Sequence, residues 1–284
     1  MSTESTPRLV SVMPGQPVDV DALLTQRQTW DLPMEAGAEW RQVNDASIDE
    51  YLAHHGADQY PDTVKDHMVL FSGFIAKHLI ALNGRTVLDV GCGVGTQYPL
   101  YVRDIAASIS YVGLDPIKIN LERDYAFVCG RLEDLVSHGL SRPVDIAVFA
   151  TSLDHFENVK TALALAGKLV GDGRILLWVG LHDSAAVSSI VGAKVFARLC
   201  QLAKSPILRL LGLLAYTMLQ APKLFFKLHK REAGLARGER LDKFHFHYFV
   251  RETFLQILAQ NGTVEEFVLL PGSNSCFVAF SPKC

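Results

Sequence analysis

What this chain of 284 residues lacks already narrows its class. Its five cysteines (Cys92, Cys129, Cys200, Cys276 and Cys284) are odd in number, scattered and without metal-ligand spacing. Neither a disulfide framework nor a metal site is expected, and the thiols read as reduced and intracellular. A formal net charge of −3 shows no overall excess of positive charge for a nucleic-acid partner. Met1 to Pro17 is polar, contains Ser, Thr and Pro, and has no apolar core of signal-peptide type, so a cytoplasmic location is expected. The run Ile207 to Leu219, bracketed by Pro206 and Pro222, is 13 residues with an internal Arg209, too short and too charged to span a bilayer. Acids are missing altogether between Ser184 and Arg231, where eight basic residues stand; the rest of the chain carries 19 basic against 30 acidic residues.

What is present suits an α/β domain with additions. Hydrophobic residues make up 49% of the chain, enough for a full core. Residues 1–18 read as a flexible tail and 19–82 as a helical extension, its segment around His54 to Tyr60 being either a lid or a packing arm. Within it, Val64, Met68, Phe71, Phe74, Ile75 and Leu79 recur at three- and four-residue steps, which predicts a helix over Asp62 to Leu82. Strand and helix signals then alternate. Strands are predicted at Thr86–Val90, Ser110–Leu114, Tyr125–Cys129, Val144–Ala150 and Arg174–Leu181, with helices over about Thr96–Ala106 and Val159–Val170. After a long interruption come a helix at Glu252–Gln260 and strands at Val264–Leu270 and Cys276–Phe280. Such alternation implies a mostly parallel sheet, covered on both faces and wound by right-handed crossovers.

The stretch Val87-Leu88-Asp89-Val90-Gly91-Cys92-Gly93-Val94-Gly95-Thr96 organises this pattern. Glycines directly after a buried strand let the backbone turn sharply and approach a ligand. Their spacing is Gly-x-Gly-x-Gly and not the Gly-x-Gly-x-x-Gly of dinucleotide sites, and Asp89 stands two residues before the first glycine. That pairing points to a cofactor carrying a cation and a sugar. It resembles motif I of the class I S-adenosylmethionine (SAM) methyltransferases, and the likeness extends over about Thr86 to Leu181 and more loosely over Asp242 to Pro282.

The resemblance implies a Rossmann-like, seven-stranded, mostly parallel sheet ending in an antiparallel pair, with a SAM-binding core at 83–182, a helical cap inserted at 183–248 and the end of the sheet at 249–284. It implies that SAM is the methyl donor and S-adenosylhomocysteine the product. Gly91, Cys92, Gly93 and Gly95 would face the cofactor, and Asp89 would lie near its ammonium group through water. Asp115, 20 residues after Gly95, would bind the ribose hydroxyls, with Pro116 and Ile117 beside it. Leu132 and Glu133 would border the adenine, although Arg131 stands where the family frequently has an aspartate. Ala150 and Thr151, opening a strand-four turn that continues to His155, would border the methionine part.

The acceptor has no such signature. A hydroxyl acceptor gains from a positioned base, and the candidates are His155, His182, Asp183, His245 and His247. No Asn-Pro-Pro-Tyr type motif follows strand four, which argues against transfer to the exocyclic amine of a base. A small-molecule or lipid-linked acceptor is expected, with oxygen the favoured atom. The basic, apolar segment 184–231 reads as a cap over the acceptor pocket, as a surface for an anionic membrane, or as an attraction for an anionic soluble substrate or RNA. Lys223, Lys227, Lys230 and Arg231 fall on one helical face within it. The Leu-rich runs weigh against the nucleic-acid reading. A non-catalytic SAM-binding scaffold and a nicotinamide-dependent oxidoreductase stay open as alternatives, and the oligomeric state is unknown.

Overall fold

Short runs of aliphatic and β-branched residues pair into one sheet whose inner strands are buried on both faces, as parallel strands in an α/β fold must be. The computed structural model describes residues 9–11, 13, 15–26, 29–33, 62–118, 122–181, 246, 247, 249–270 and 273–283. Its strands are β1 (Leu9–Ser11), β2 (Thr29–Asp31), β3 (Thr86–Val90), β4 (Ser110–Asp115), β5 (Ala126–Cys129), β6 (Ile146–Ala150), β7 (Arg174–Gly180), β8 (Gly262–Leu269) and β9 (Ser275–Pro282). The described helices are α1 (Val20–Gln26), α2 (Asp62–Leu82), α3 (Leu100–Arg103), α4 (Leu132–His138), α5 (Val159–Val170) and α6 (Arg251–Asn261).

The sheet order is β1-β2-β5-β4-β3-β6-β7-β9-β8, parallel except where β9 meets β7 and β8. Strand order reverses at β3, with β4 on one side and β6 on the other, so a crevice opens at the carboxyl ends of these strands. Alternate residues of each strand feed two cores. Leu88 and Val90 of β3 join one with Leu23 of α1, Leu135 of α4, Leu163 of α5 and Phe254 of α6. Val87 joins the other with Phe71 and Ile75 of α2 and Val102 of α3.

Among the described residues the sheet has nine strands and not the expected seven. The two extra strands lie in segments read as tail and helical extension, and β2 adds in parallel to the β5 edge through pairs such as Trp30 with Val128. Three-residue strands are too short to display a period of two, which is why the pattern concealed them. The helix expected over Thr96–Ala106 is a single turn, α3, followed by a 3-10 turn at Ala106–Ser108. Pro99 explains the late start, since a proline disfavours helical backbone in the residue before it, here Tyr98. Helix α4 was not anticipated; seven residues hold too little periodicity, and its start is held by Arg131 N–H donating to Asp134 Oδ2 at 3.1 Å. His54–Tyr60 and the segment 184–231 lie outside the described residues. No described helix is long and apolar enough to cross a membrane.

At the amino ends of the strands, one residue, Asp145, ties three of them together through its carboxylate and its backbone. Asp145 Oδ2 accepts from Arg85 N–H at 2.8 Å and Thr86 N–H at 2.7 Å, while the Asp145 carbonyl accepts from Arg174 N–H at 3.0 Å. Asp145→Ala leaves the two N–H groups at the start of β3 without that acceptor. The expected loss is about 1–3 kcal/mol, read as a lower urea midpoint at unchanged m-value.

Candidate active site

Gly91 and Gly93, directly after β3, take φ of 78° and 76°, a left-handed backbone that glycine adopts at little cost. At Gly91 close approach matters as well, since an added Cβ would lie 2.5 Å from the Ser152 Cβ. Gly93 differs: among the described residues a Cβ there would meet nothing within 4 Å, so these leave open space beside the loop at that point. The N–H groups of Gly91 and Cys92 donate to the Leu114 carbonyl, and Gly93 N–H donates to Asp115 Oδ2 at 2.8 Å. Asp115 Oδ1 accepts from Ile117 N–H at 2.9 Å. The loop after β3 is thereby tied to the end of β4, and Gly91, Cys92, Gly93, Asp115, Pro116 and Ile117 are brought together. A carboxylate has about four lone-pair directions, so two remain at Asp115 for other donors. Burial pushes its pKa up, against the pull of the two backbone N–H groups and the Arg123 guanidinium.

The other side of the loop is held by residues that the motif reading did not identify. Arg123 Nη1 donates to the carbonyls of Gly95 and, at 3.3 Å, Gly93, and to Tyr125 Oη at 2.6 Å. Tyr125 Oη donates to the Gly95 carbonyl at 2.6 Å, and Asp124 N–H to the Thr96 carbonyl at 2.8 Å. The Arg123 guanidinium lies 3.8 Å above the centre of the Phe127 ring and is 5% exposed. An arginine two residues before an aromatic strand position carries no familiar signature, so only the folded loop shows what it holds.

Asp89 is fully buried. Its Oδ2 accepts from the hydroxyls of Tyr101 and Tyr111, each at 2.6 Å, while Oδ1 has no partner among the described residues. Burial is the main cause that raises its pKa to about 6; the two tyrosine hydrogen bonds pull it down and the Asp115 charge adds to the rise. Neither tyrosine was foreseen as a partner, because each reaches Asp89 from a separate element. Burial also raises the Cys92 thiol pKa, with Asp115 and Asp89 adding to the effect.

The remaining candidates are spread more widely. The Leu132 side chain is packed in the core, and Glu133 beside it is exposed. Ala150 ends β6 half-buried, and Thr151 follows at φ 60°, an uncommon value for a β-branched residue. His155 ends a 3-10 turn, with Nε2 3.8 Å from Asp154 Oδ1. His247 hydrogen-bonds the Glu157 carbonyl through Nε2 at 3.0 Å, and Phe246 N–H donates to the Asp154 carbonyl, so the segments 154–157 and 246–247 lie together. Beside them is a cavity of about 400 Å³, lined by residues including Lys160, His247, Phe249 and Thr253. His182, Asp183 and His245 lie outside the described residues.

Comparison with known proteins gives one family match and several similar structures. Residues 70–264 match the family profile described as a methyltransferase domain. Among solved structures, the chain is similar to the plantazolicin methyltransferase BpumL in complex with a pentazolic desmethylPZN analog and SAH, at 10% identity and a TM-score of 0.49, over 92% of this chain and 98% of that one. It is also similar to an O-methyltransferase family protein from Burkholderia thailandensis, at 11% identity and a TM-score of 0.47, over 86% and 70% of the two chains. A third is an S-adenosylmethionine-dependent methyltransferase from Clostridium acetobutylicum, at 9% identity and a TM-score of 0.43, over 74% and 89%. Comparison with curated proteins finds no match.

The Arg123 contacts predict a stability effect. Arg123→Met keeps the apolar stem but leaves the Gly93 and Gly95 carbonyls without their charged donor, which is expected to cost about 1–3 kcal/mol. Amide hydrogen exchange should quicken at residues 93–96 and stay slow in β6 and β7; equal exchange in the two proteins would contradict the assignment.

Proposed function

Because the chain belongs to the methyltransferase-domain family, as a class I enzyme whose methyl donor is SAM, we propose that it methylates an oxygen of a small-molecule or lipid-linked acceptor at the carboxyl ends of β3, β4 and β6. The observation that carries this reading is the pair of buried carboxylates around the glycine loop, each with acceptor capacity left over beside open space at Gly93. These residues fit the cofactor. Asp115 would hold the ribose hydroxyls with its two remaining lone pairs, and the unpartnered Asp89 Oδ1 would accept from the ammonium side, directly or through water. Exposed backbone at Gly93 would let the cofactor lie close to the loop.

When bound, SAM supplies a methyl group that is already electrophilic on its sulfonium sulfur. The protein's share of the work is therefore binding, alignment and exclusion of water. The bracing of the loop by Asp115 on its N–H side and Arg123 on its carbonyl side supports a pre-set cofactor position that needs little reorganisation. His155, next to Asp154 beyond the end of β6, is the candidate to take an acceptor proton among the described residues, with His247 on the neighbouring segment. The basic, apolar segment 184–231 is proposed as the cap over the acceptor, the role that accounts for an acid-free stretch rich in leucine.

Two measurements test the cofactor site. Calorimetry is expected to give micromolar binding of S-adenosylhomocysteine to the unaltered protein, weakened by about 1–3 kcal/mol in Asp115→Ala through loss of charge-assisted hydrogen bonds. No heat with either SAM or its product would end the proposal. The second concerns pH. Folded Asp89 titrates near 6 and an unfolded aspartate near 3.8, so its protonation stabilises the ligand-free fold below the unfolded value, and this contribution is lost as pH rises through about 6. At pH 7 the buried charge thus costs about 3 kcal/mol. Asp89→Asn should raise the ligand-free stability at pH 7 by about 1–3 kcal/mol while weakening cofactor binding, and affinity of the unaltered protein should fall as pH drops below about 6. A pH-independent affinity between 5 and 7 would exclude the carboxylate from cofactor binding.

A further inference from the structure

On the sheet face covered by α2, Trp178 is 4% exposed and its indole Nε1 has no hydrogen-bond partner among the described residues. Buried indole N–H groups ordinarily find one, and leaving a donor unpaired is costly. Its place in the register is informative. Asp89 pairs with Val148, Val148 with Leu176, and Ala150 with Trp178, so Asp89, Ala150 and Trp178 all point to the α2 face. Asp89 and Trp178 stand two strands apart and two residues apart along the strand direction, about 12 Å at ordinary strand spacing and rise. On β6 between them, level with Trp178, is the small side chain of Ala150. Two buried and unpartnered polar atoms, an acceptor on Asp89 and a donor on Trp178, thus flank one small residue where β6 ends.

The amino half of α2 supplies the wall over this place. His67 meets Trp178 edge-on, with ring centres 6.2 Å apart and planes at 81°. Phe71, one turn further along α2, packs on Trp178 at 5.6 Å and on Tyr101 at 5.8 Å. Tyr101 is one of the two tyrosines that donate to Asp89. A run of ring contacts therefore leads from Tyr101, beside Asp89, through Phe71 to Trp178, whose enclosed indole N–H is unpartnered among the described residues, and on to the half-buried His67.

We propose that Trp178 and His67 form the anchoring subsite for a phenolic acceptor, the indole N–H donating to a phenol hydroxyl other than the one that is methylated and a ring nitrogen of His67 accepting from it. The subsite rests on the methyltransferase reading and names its substrate class. A planar aromatic ring suits a wall that offers edge and offset ring contacts, and a neutral imidazole keeps one nitrogen free to accept. Asp89 serves the cofactor side of Ala150 and Trp178 the acceptor side.

The test reads the indole directly. The chain has three tryptophans, so nitrogen-15 spectra identify Trp178 as the indole signal missing from Trp178→Phe. 4-Nitrophenol is titrated as probe, with and without S-adenosylhomocysteine. The Trp178 signal is expected to move downfield and saturate. His67→Phe should weaken the probe about tenfold, the scale of one lost hydrogen bond, and His67→Gln, which keeps an acceptor, should restore most of it. A Trp178 signal that stays in place up to the solubility limit of the probe overturns the subsite, as does equal probe affinity in His67→Phe. Failure of the unaltered protein to bind S-adenosylhomocysteine would instead count against the methyltransferase reading, while the indole signal still reports on the probe.

Discussion

The reversal of strand order at β3 is the constraint on which the rest depends. Because β4 and β6 leave β3 on opposite sides, the helices that follow are carried to different places and cannot close over the carboxyl end of β3. Backbone donors and polar side chains exposed by that gap must find partners, and they do so in one small volume. Asp115 takes the Gly93 N–H, Leu114 takes the N–H groups of Gly91 and Cys92, and Arg123 with Tyr125 takes the carbonyls on the far side of the loop. The glycine loop is thus a surface held from both sides before any ligand arrives.

That bracing has an electrostatic counterpart. Asp89 and Asp115 are two buried carboxylates, burial raises the pKa of both, and the Asp115 charge adds to the rise at Asp89. Without a nearby cation such a pair is a liability for folding. Arg123 offsets part of it beside Asp115, while Asp89 is left with two tyrosine hydroxyls on one oxygen and none on the other. In the proposed function this arrangement would suit a molecule bringing donors and positive charge, as a sulfonium-bearing amino acid does.

Legibility in the sequence followed the length of each feature. Helix α2 and helix α5 were predicted over their full spans, because many residues recur at helical spacing, and the central strands were found within a few residues. The three-residue strands β1 and β2, the single turn of α3 and the seven-residue α4 were not, since each is shorter than the window over which a period can be recognised. Pro99 was visible throughout, but its effect on the start of α3 became plain only with its extended backbone in view. Of the site, the glycines, Asp89 and Asp115 stood out because their spacing along one strand–turn–strand unit is itself the motif.

The sequence by itself determined the features on which the proposed donor side rests: a strand, a sharp glycine turn and two acids at set distances are local features, and local chemistry needs no knowledge of distant residues. It also determined the class of sheet, through alternation of strand and helix signals. Only the tertiary structure decided which residues converge on those features. Tyr101 and Tyr111 reach Asp89 from a helix and a neighbouring strand, Arg123 reaches the loop across 28 positions in the chain, and His67 meets Trp178 across more than a hundred. Contacts of that separation are made by packing helices on a twisted sheet, and no spacing rule along the chain encodes them.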